Sequence, residues 1–135
     1  MLGGIGGAAV IAVVLAAILV PGLGGPSQAA DFKFTLYQGV GELGAKEMSL
    51  SRLDSRHVVL NFWAGLCPPC RAEMPDLEAA FQRHKADGVR FIGVTNMGLD
   101  TAQDTRDFMA EIGVTYSLGA DTDASIMRAY NVSGF

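Results

Sequence analysis

What most limits the fold of this chain is a junction: the apolar run His57-Val58-Val59-Leu60-Asn61-Phe62-Trp63 is followed, after three residues, by Cys67-Pro68-Pro69-Cys70. The run is β-branched, aromatic and nearly continuously apolar, the pattern of a central strand covered on both faces. Beyond the cysteines, Met74, Leu77, Phe81 and His84 keep helical spacing, and Asp87-Gly88 supplies a stop. A strand, a short bend and a helix place Cys67 at or beside the N-cap. Pro68 and Pro69 then occupy the first turn, where a missing N–H costs nothing.

That position has chemical content. Free backbone N–H groups and the helix dipole stabilise a thiolate at Cys67, below the ordinary pKa of about 8.5, while Cys70, one turn in, lies nearer the core and keeps its proton longer. An exposed attacking thiolate beside a buried resolving thiol is what disulfide exchange requires: Cys67 forms the mixed disulfide and Cys70 releases the product. Three other readings compete. A structural staple across so short a loop contributes about 2 kcal/mol, against roughly 5 kcal/mol for a loop of about 100 residues. A zinc half-site needs two further ligands, and the only histidines, His57 and His84, form no ligand-spaced pair. Coincidence is the third. Exchange is the favoured reading.

Elsewhere, Phe32, Phe34 and Leu36 alternate with Lys33 and Thr35 as in a half-buried strand; Gly39, Gly41 and Gly44 mark turns, and residues 46–50 form a second strand closing a hairpin. Val89 to Thr95 predicts another buried strand. Asp100 with Gln103 resembles a capping box opening a helix that carries Phe108, Met109 and Ile112 to a stop at Gly113. A short strand is expected over Val114 to Leu118, then a third helix capped by Asp121 or Asp123 and bearing Ile126, Met127 and Tyr130. Alternating strands and helices predict an α/β fold with βαβ units and a largely parallel sheet.

Charge divides the chain. There are 10 Lys and Arg and 14 Asp and Glu, and none of them falls in the first 30 residues. Residues 31–135 are therefore expected to form one domain, with about the quarter of charged residues usual in soluble proteins. At a net charge of -4 the chain lacks the basic stripe that phosphate neutralisation needs, so nucleic acid is not an expected partner. Every side chain from Ala8 to Val20 is apolar, and the uncharged stretch from Leu2 to Leu23 is about as long as a bilayer requires. Residues 1–30 read as a signal peptide, with Ser27 and Ala29 as the small residues before a cleavage site, or as a transmembrane anchor with Pro21 to Pro26 as linker. A buried helix, apolar on every side, would need more protein around it than this domain provides.

The segment Asn61-Phe62-Trp63-Ala64-Gly65-Leu66-Cys67-Pro68-Pro69-Cys70-Arg71-Ala72-Glu73-Met74-Pro75 resembles the active-site segment of membrane-anchored, extracytoplasmic thioredoxin-like proteins of the TlpA and ResA type, related to the redoxin and AhpC/TSA proteins. Phe34-Thr35-Leu36 through Ser49-Leu50 is similar to the hairpin that precedes the thioredoxin core there. The resemblance implies a thioredoxin-like fold with an N-terminal β-hairpin extension. It also implies thiol:disulfide exchange outside the cytoplasmic membrane, often reducing apocytochrome c or other exported proteins. Cys67, Cys70 and Glu73 would be the catalytic residues, with Trp63, Pro68 and Pro69 in support. Partners would be protein disulfides and an electron donor at the membrane or outside it, with membrane attachment through residues 2–23 if the leader is uncleaved. No cofactor beyond the dithiol and no metal is implied.

Glu73 matches a family carboxylate that assists proton transfer, although the pattern alone reads it as a solvated first-turn acid. Trp63 is expected to pack beneath the site, Arg71 to lie on the surface, and Pro75 to kink the helix. Leu66 stands where the family usually has Trp. Asn61 stands where thioredoxins proper carry a buried Asp, and it accepts no proton. The sequence ends at Gly134-Phe135, one residue before the family's Gly-x-Pro proline, so the resemblance implies a C-terminally incomplete copy, its last strands and helix missing and one sheet edge open. A peroxidase would want Thr or Ser three residues before the reactive cysteine, where Ala64 stands. The remaining alternatives are a thiolate metallochaperone for copper or zinc and a non-catalytic fragment.

Overall fold

The computed structural model describes residues 28–135 apart from Arg56, Met97 and Leu99, so the leader expected over residues 1–30 lies almost wholly outside the described residues. No helix among the described residues is long and apolar enough to cross a membrane. In chain order the elements are β1 (Lys33–Gln38), α1 (Val40–Leu43), β2 (Glu47–Ser49), β3 (Val58–Trp63), α2 (Pro68–His84), β4 (Arg90–Asn96), α3 (Ala102–Ile112), β5 (Ser117–Asp121) and α4 (Ser125–Ala129), with 3-10 turns at Leu50–Arg52 and Lys85–Asp87.

The five strands form one sheet in the order β2-β1-β5-β4-β3. β3, β4 and β5 run parallel, whereas β1 lies antiparallel to both β5 and β2. The parallel character thus holds for three strands, and the expected N-terminal hairpin supplies an antiparallel flank. Among the described residues β3 pairs with β4 alone, so the strand that leads to the cysteines borders the sheet.

Period-two alternation assigns the layers. On β3, Val59 and Trp63 face a core shared with Cys70, Met74, Leu77 and Phe81 of α2 and Phe108, Met109 and Ile112 of α3. Val58, Leu60 and Phe62 face the opposite core, with Phe32, Phe34, Leu36 and Ile126. Tyr130 joins the two ends of that second core: its ring lies 5.8 Å from Phe32 and 5.7 Å from Phe62, and its hydroxyl donates to the Ala30 carbonyl at 2.7 Å.

Several expectations are corrected. The glycine tract after β1 holds a one-turn helix, α1, flanked by Gly39 and Gly44, both left-handed at φ 72° and 79°. The strand expected at Val114 to Leu118 starts only at Ser117, because the side-chain amide of Gln38 takes the carbonyls of Val114 and Tyr116 at 2.7 and 3.1 Å. His84, placed on the apolar face by spacing, is exposed where α2 ends.

Gly93, in the middle of β4, is required by close approach. A Cβ there would overlap Leu118 Cδ2 and stand 3.0 Å from Trp63 Nε1. Both neighbours are fully buried, so neither has room to swing aside. Gly93→Ala is expected to destabilise the fold by about 1–3 kcal/mol through overpacking, read as a lower denaturant midpoint at unchanged slope.

Candidate active site

The site starts where β3 stops. Trp63 is fully buried, with its ring 4.9 Å from that of Phe108 on α3, and its indole N–H has no hydrogen-bond partner among the described residues. From there the chain leaves the sheet through Ala64-Gly65-Leu66. The Cys67 N–H donates to the Ala64 carbonyl at 3.2 Å, and the Cys67 carbonyl accepts from the Arg71 N–H at 3.2 Å. Cys67 is the N-cap of α2, with φ -97° and ψ 106°, and its Sγ accepts the Cys70 N–H at 3.2 Å. Pro68 and Pro69 occupy the first turn as their missing N–H groups allow.

Cys67 and Cys70 are joined as a disulfide, their Cα atoms 5.3 Å apart. Cys67 is 8% exposed and Cys70 3%, so their order is the expected one, but Cys67 is far less open than a freely exposed sulfur. It forms part of a groove of about 400 Å³, lined also by Ala64, Leu66, Pro68, Pro69, Asp100 and Phe135. Leu66, at 66% exposure, is the most open large apolar side chain among the described residues. A larger cleft of about 710 Å³ lies away from the sulfurs, beside β1, β2 and the start of α4. Its buried carboxylate, Asp121, is already taken up by the N–H groups of Ile126 and Met127.

Three residues with consequences for the site were not assigned there from sequence. Asp100 does not cap α3. That box is made by Thr101 and Asp104, each side chain bonded to the other's backbone N–H. Asp100 is instead buried, and its carboxylate accepts the N–H of Gly65 and, at 3.3 Å, that of Leu66. Gly65 makes room for this, since a Cβ would lie 3.2 Å from Asp100 Oδ2 and 3.0 Å from the Asp104 carbonyl oxygen. Arg71 is more than a surface residue: its guanidinium pairs with Glu111, lies 4.8 Å from the centre of the Phe108 ring, and so ties α2 to α3. Tyr116, fully buried, accepts a hydrogen bond from Asn61 Nδ2 at 3.3 Å.

Glu73 is exposed on α2, a turn after Cys70, and its charge is felt at Tyr116. Burial pushes the Tyr116 phenol up to about 12; the Asn61 bond works against this, and the charges of Glu78 and Glu73 add to it. Burial likewise raises Tyr37, against the effect of its hydrogen bond to Thr95, with the Asp100 charge contributing in the same direction as burial. Among the described residues no group of three or more His, Cys, Asp or Glu is placed to hold a metal ion.

The AhpC/TSA family model matches residues 26–134. The chain belongs to the AhpC/TSA family. It is 34% identical over 92 residues to the thiol-disulfide oxidoreductase ResA of Bacillus subtilis, a match covering 68% of this chain and 50% of that one. The chain therefore spans about half the length of that relative. A secreted Mycobacterium tuberculosis disulfide oxidoreductase homologous to Escherichia coli DsbE is 25% identical, with a TM-score of 0.60 over 75% of this chain and 68% of that one. The thioredoxin domain of a Bacteroides vulgatus thiol-disulfide oxidoreductase, 21% identical, superimposes with a TM-score of 0.66 over 81% of this chain and 74% of that one, a likeness of fold alone. The fold is thioredoxin-like, as the sequence resemblance implied.

The raised Tyr116 pKa has a stability consequence. The folded chain holds a proton up to about 12 that the unfolded chain releases near 10, so this contribution is complete below about pH 10 and is lost as pH rises toward about 12. Denaturant midpoints are expected to fall across that window, and Tyr116→Phe to flatten the decline.

Proposed function

We propose that the chain is the redox module of an extracytoplasmic thiol:disulfide oxidoreductase that reduces disulfides of exported proteins. One observation carries the reading: a Cys67–Cys70 disulfide set at the N-cap of a long helix and opening onto an apolar groove. The names of the relatives support it. This form is the oxidised end of the cycle. In the reduced form the Cys67 thiolate attacks a substrate disulfide, making one mixed disulfide bond and releasing one substrate thiolate, which takes up a proton. Cys70 then gives up its proton, and its sulfur attacks Cys67 Sγ. The Cys67–Cys70 bond forms, the mixed bond breaks, and the second substrate thiolate leaves and is protonated. Two electrons pass to the substrate, with one proton from Cys70 and one from solvent. A dithiol donor at the membrane or outside it restores Cys67 and Cys70, and no cofactor is needed.

Glu73, the acid one turn past Cys70, is the proton carrier in this scheme, because Asn61 accepts no proton. Pro68 and Pro69 preset the turn, and Trp63 supports it from below. Residues 2–23 anchor the protein with its domain outside the cytoplasm, or the leader is cleaved and the protein secreted. Apocytochrome c before haem attachment is a substrate of the class proposed.

Cys70→Ser is expected to accumulate mixed disulfides with protein substrates and Cys67→Ser to accumulate few, both losing insulin-disulfide reduction; equal trapping by the two variants would reject the division of labour. In protease treatment of intact cells, after outer-membrane permeabilisation where there is one, residues 31–135 are expected to be digested. Full protection there would remove the extracytoplasmic assignment.

A further inference from the structure

We propose that Asp100 is a positioning residue that sets the redox potential of the Cys67–Cys70 pair, an inference that rests on the oxidoreductase reading. Asp100 is 7% exposed and spends both carboxylate oxygens on the two amides directly before Cys67, those of Gly65 and Leu66. The missing side chain of Gly65 leaves the space through which the carboxylate reaches them. Held in this way, Asp100 is a fixed negative charge lining the same groove as Cys67.

The charge acts differently on the two redox forms. As a disulfide, Cys67 carries no charge and Asp100 has nothing to repel. Once reduced, Cys67 carries a thiolate, and two negative groups then share a small, mostly apolar groove, which raises the free energy of the reduced form. The first-turn N–H of Cys70, which already points at Cys67 Sγ, pulls the other way. Of the other charged groups, the Arg71 guanidinium on α2 is engaged by Glu111 of α3 and the Phe108 ring and reaches the Gly65 carbonyl at 3.5 Å. Glu73 is exposed beyond Cys70, and from β1 the Tyr37 hydroxyl is bonded to Thr95. Asp100 therefore makes the pair more reducing than the N-cap would be with a neutral residue in its place, because the form that carries the thiolate is the one it destabilises.

The test compares the full chain with Asp100→Asn and Asp100→Ser, which keep an oxygen acceptor and remove the charge, and with Asp100→Glu, which keeps the charge. Each is equilibrated with glutathione, and the pH midpoint of Cys67 alkylation is measured separately. The neutral variants are expected to shift the equilibrium toward the dithiol by about tenfold, which is about 30 mV for a two-electron couple, and to lower the alkylation midpoint. Asp100→Glu is expected to stay near the unsubstituted chain. Unchanged potential and midpoint in the neutral variants, whatever their melting temperature, would overturn the proposal, as would a shift of opposite sign. Unfolding of both neutral variants while Asp100→Glu folds normally would assign Asp100 to the fold alone and also overturn it. Absence of insulin reduction by the unsubstituted chain would instead remove the oxidoreductase reading, and the glutathione comparison, which needs only the disulfide, would still decide on Asp100.

Discussion

The site hangs from the burial of Trp63. Its ring closes the end of β3 beneath α2 and α3, tilted against Phe108 and set against the bare Cα of Gly93. The unpartnered indole N–H costs about 1–3 kcal/mol. Burying the apolar surface of an indole, about 150–250 Å² at about 25 cal/mol per Å², outweighs that. Trp63 therefore cannot shift without large loss, and the chain leaves the sheet at a fixed height. Four residues later it delivers Cys67 to the start of α2.

The bend between Trp63 and Cys67 is clamped from two directions. Asp100, just ahead of α3, holds the N–H groups of Gly65 and Leu66, and Arg71 of α2, paired with Glu111 of α3 across the Phe108 ring, donates to the Gly65 carbonyl at 3.5 Å. Both helices that cover this face of the sheet are thereby fastened to it. A sulfur whose surroundings are fixed before substrate arrives spends little free energy on ordering when it reacts.

The elements around the cysteines were legible because their causes are local. The nearly continuous apolar run of β3, two prolines in a first turn and a cysteine before them are properties of adjacent residues. The partners that complete the site lie 35 to 55 residues away in sequence, as with Gly65 to Asp100 and Asn61 to Tyr116, and no periodicity announces them. Asp100 shows how a local rule misleads. It sits one residue before Thr101, whose hydroxyl is the better placed cap, and so its carboxylate is free to serve a distant loop. β5 failed to start at Val114 for a similar reason, since a side chain from β1 occupies the carbonyls that a strand neighbour would have used.

Leu66 separates two requirements that usually constrain one residue together. Its backbone N–H is held by Asp100, which any residue except proline could satisfy, while its side chain is 66% exposed at the rim of the groove. Substitution there leaves the packed interior untouched. If the sulfur pair exchanges disulfides with proteins as proposed, the same substitution changes the surface an incoming polypeptide would meet, so partner preference can vary at this position almost independently of folding.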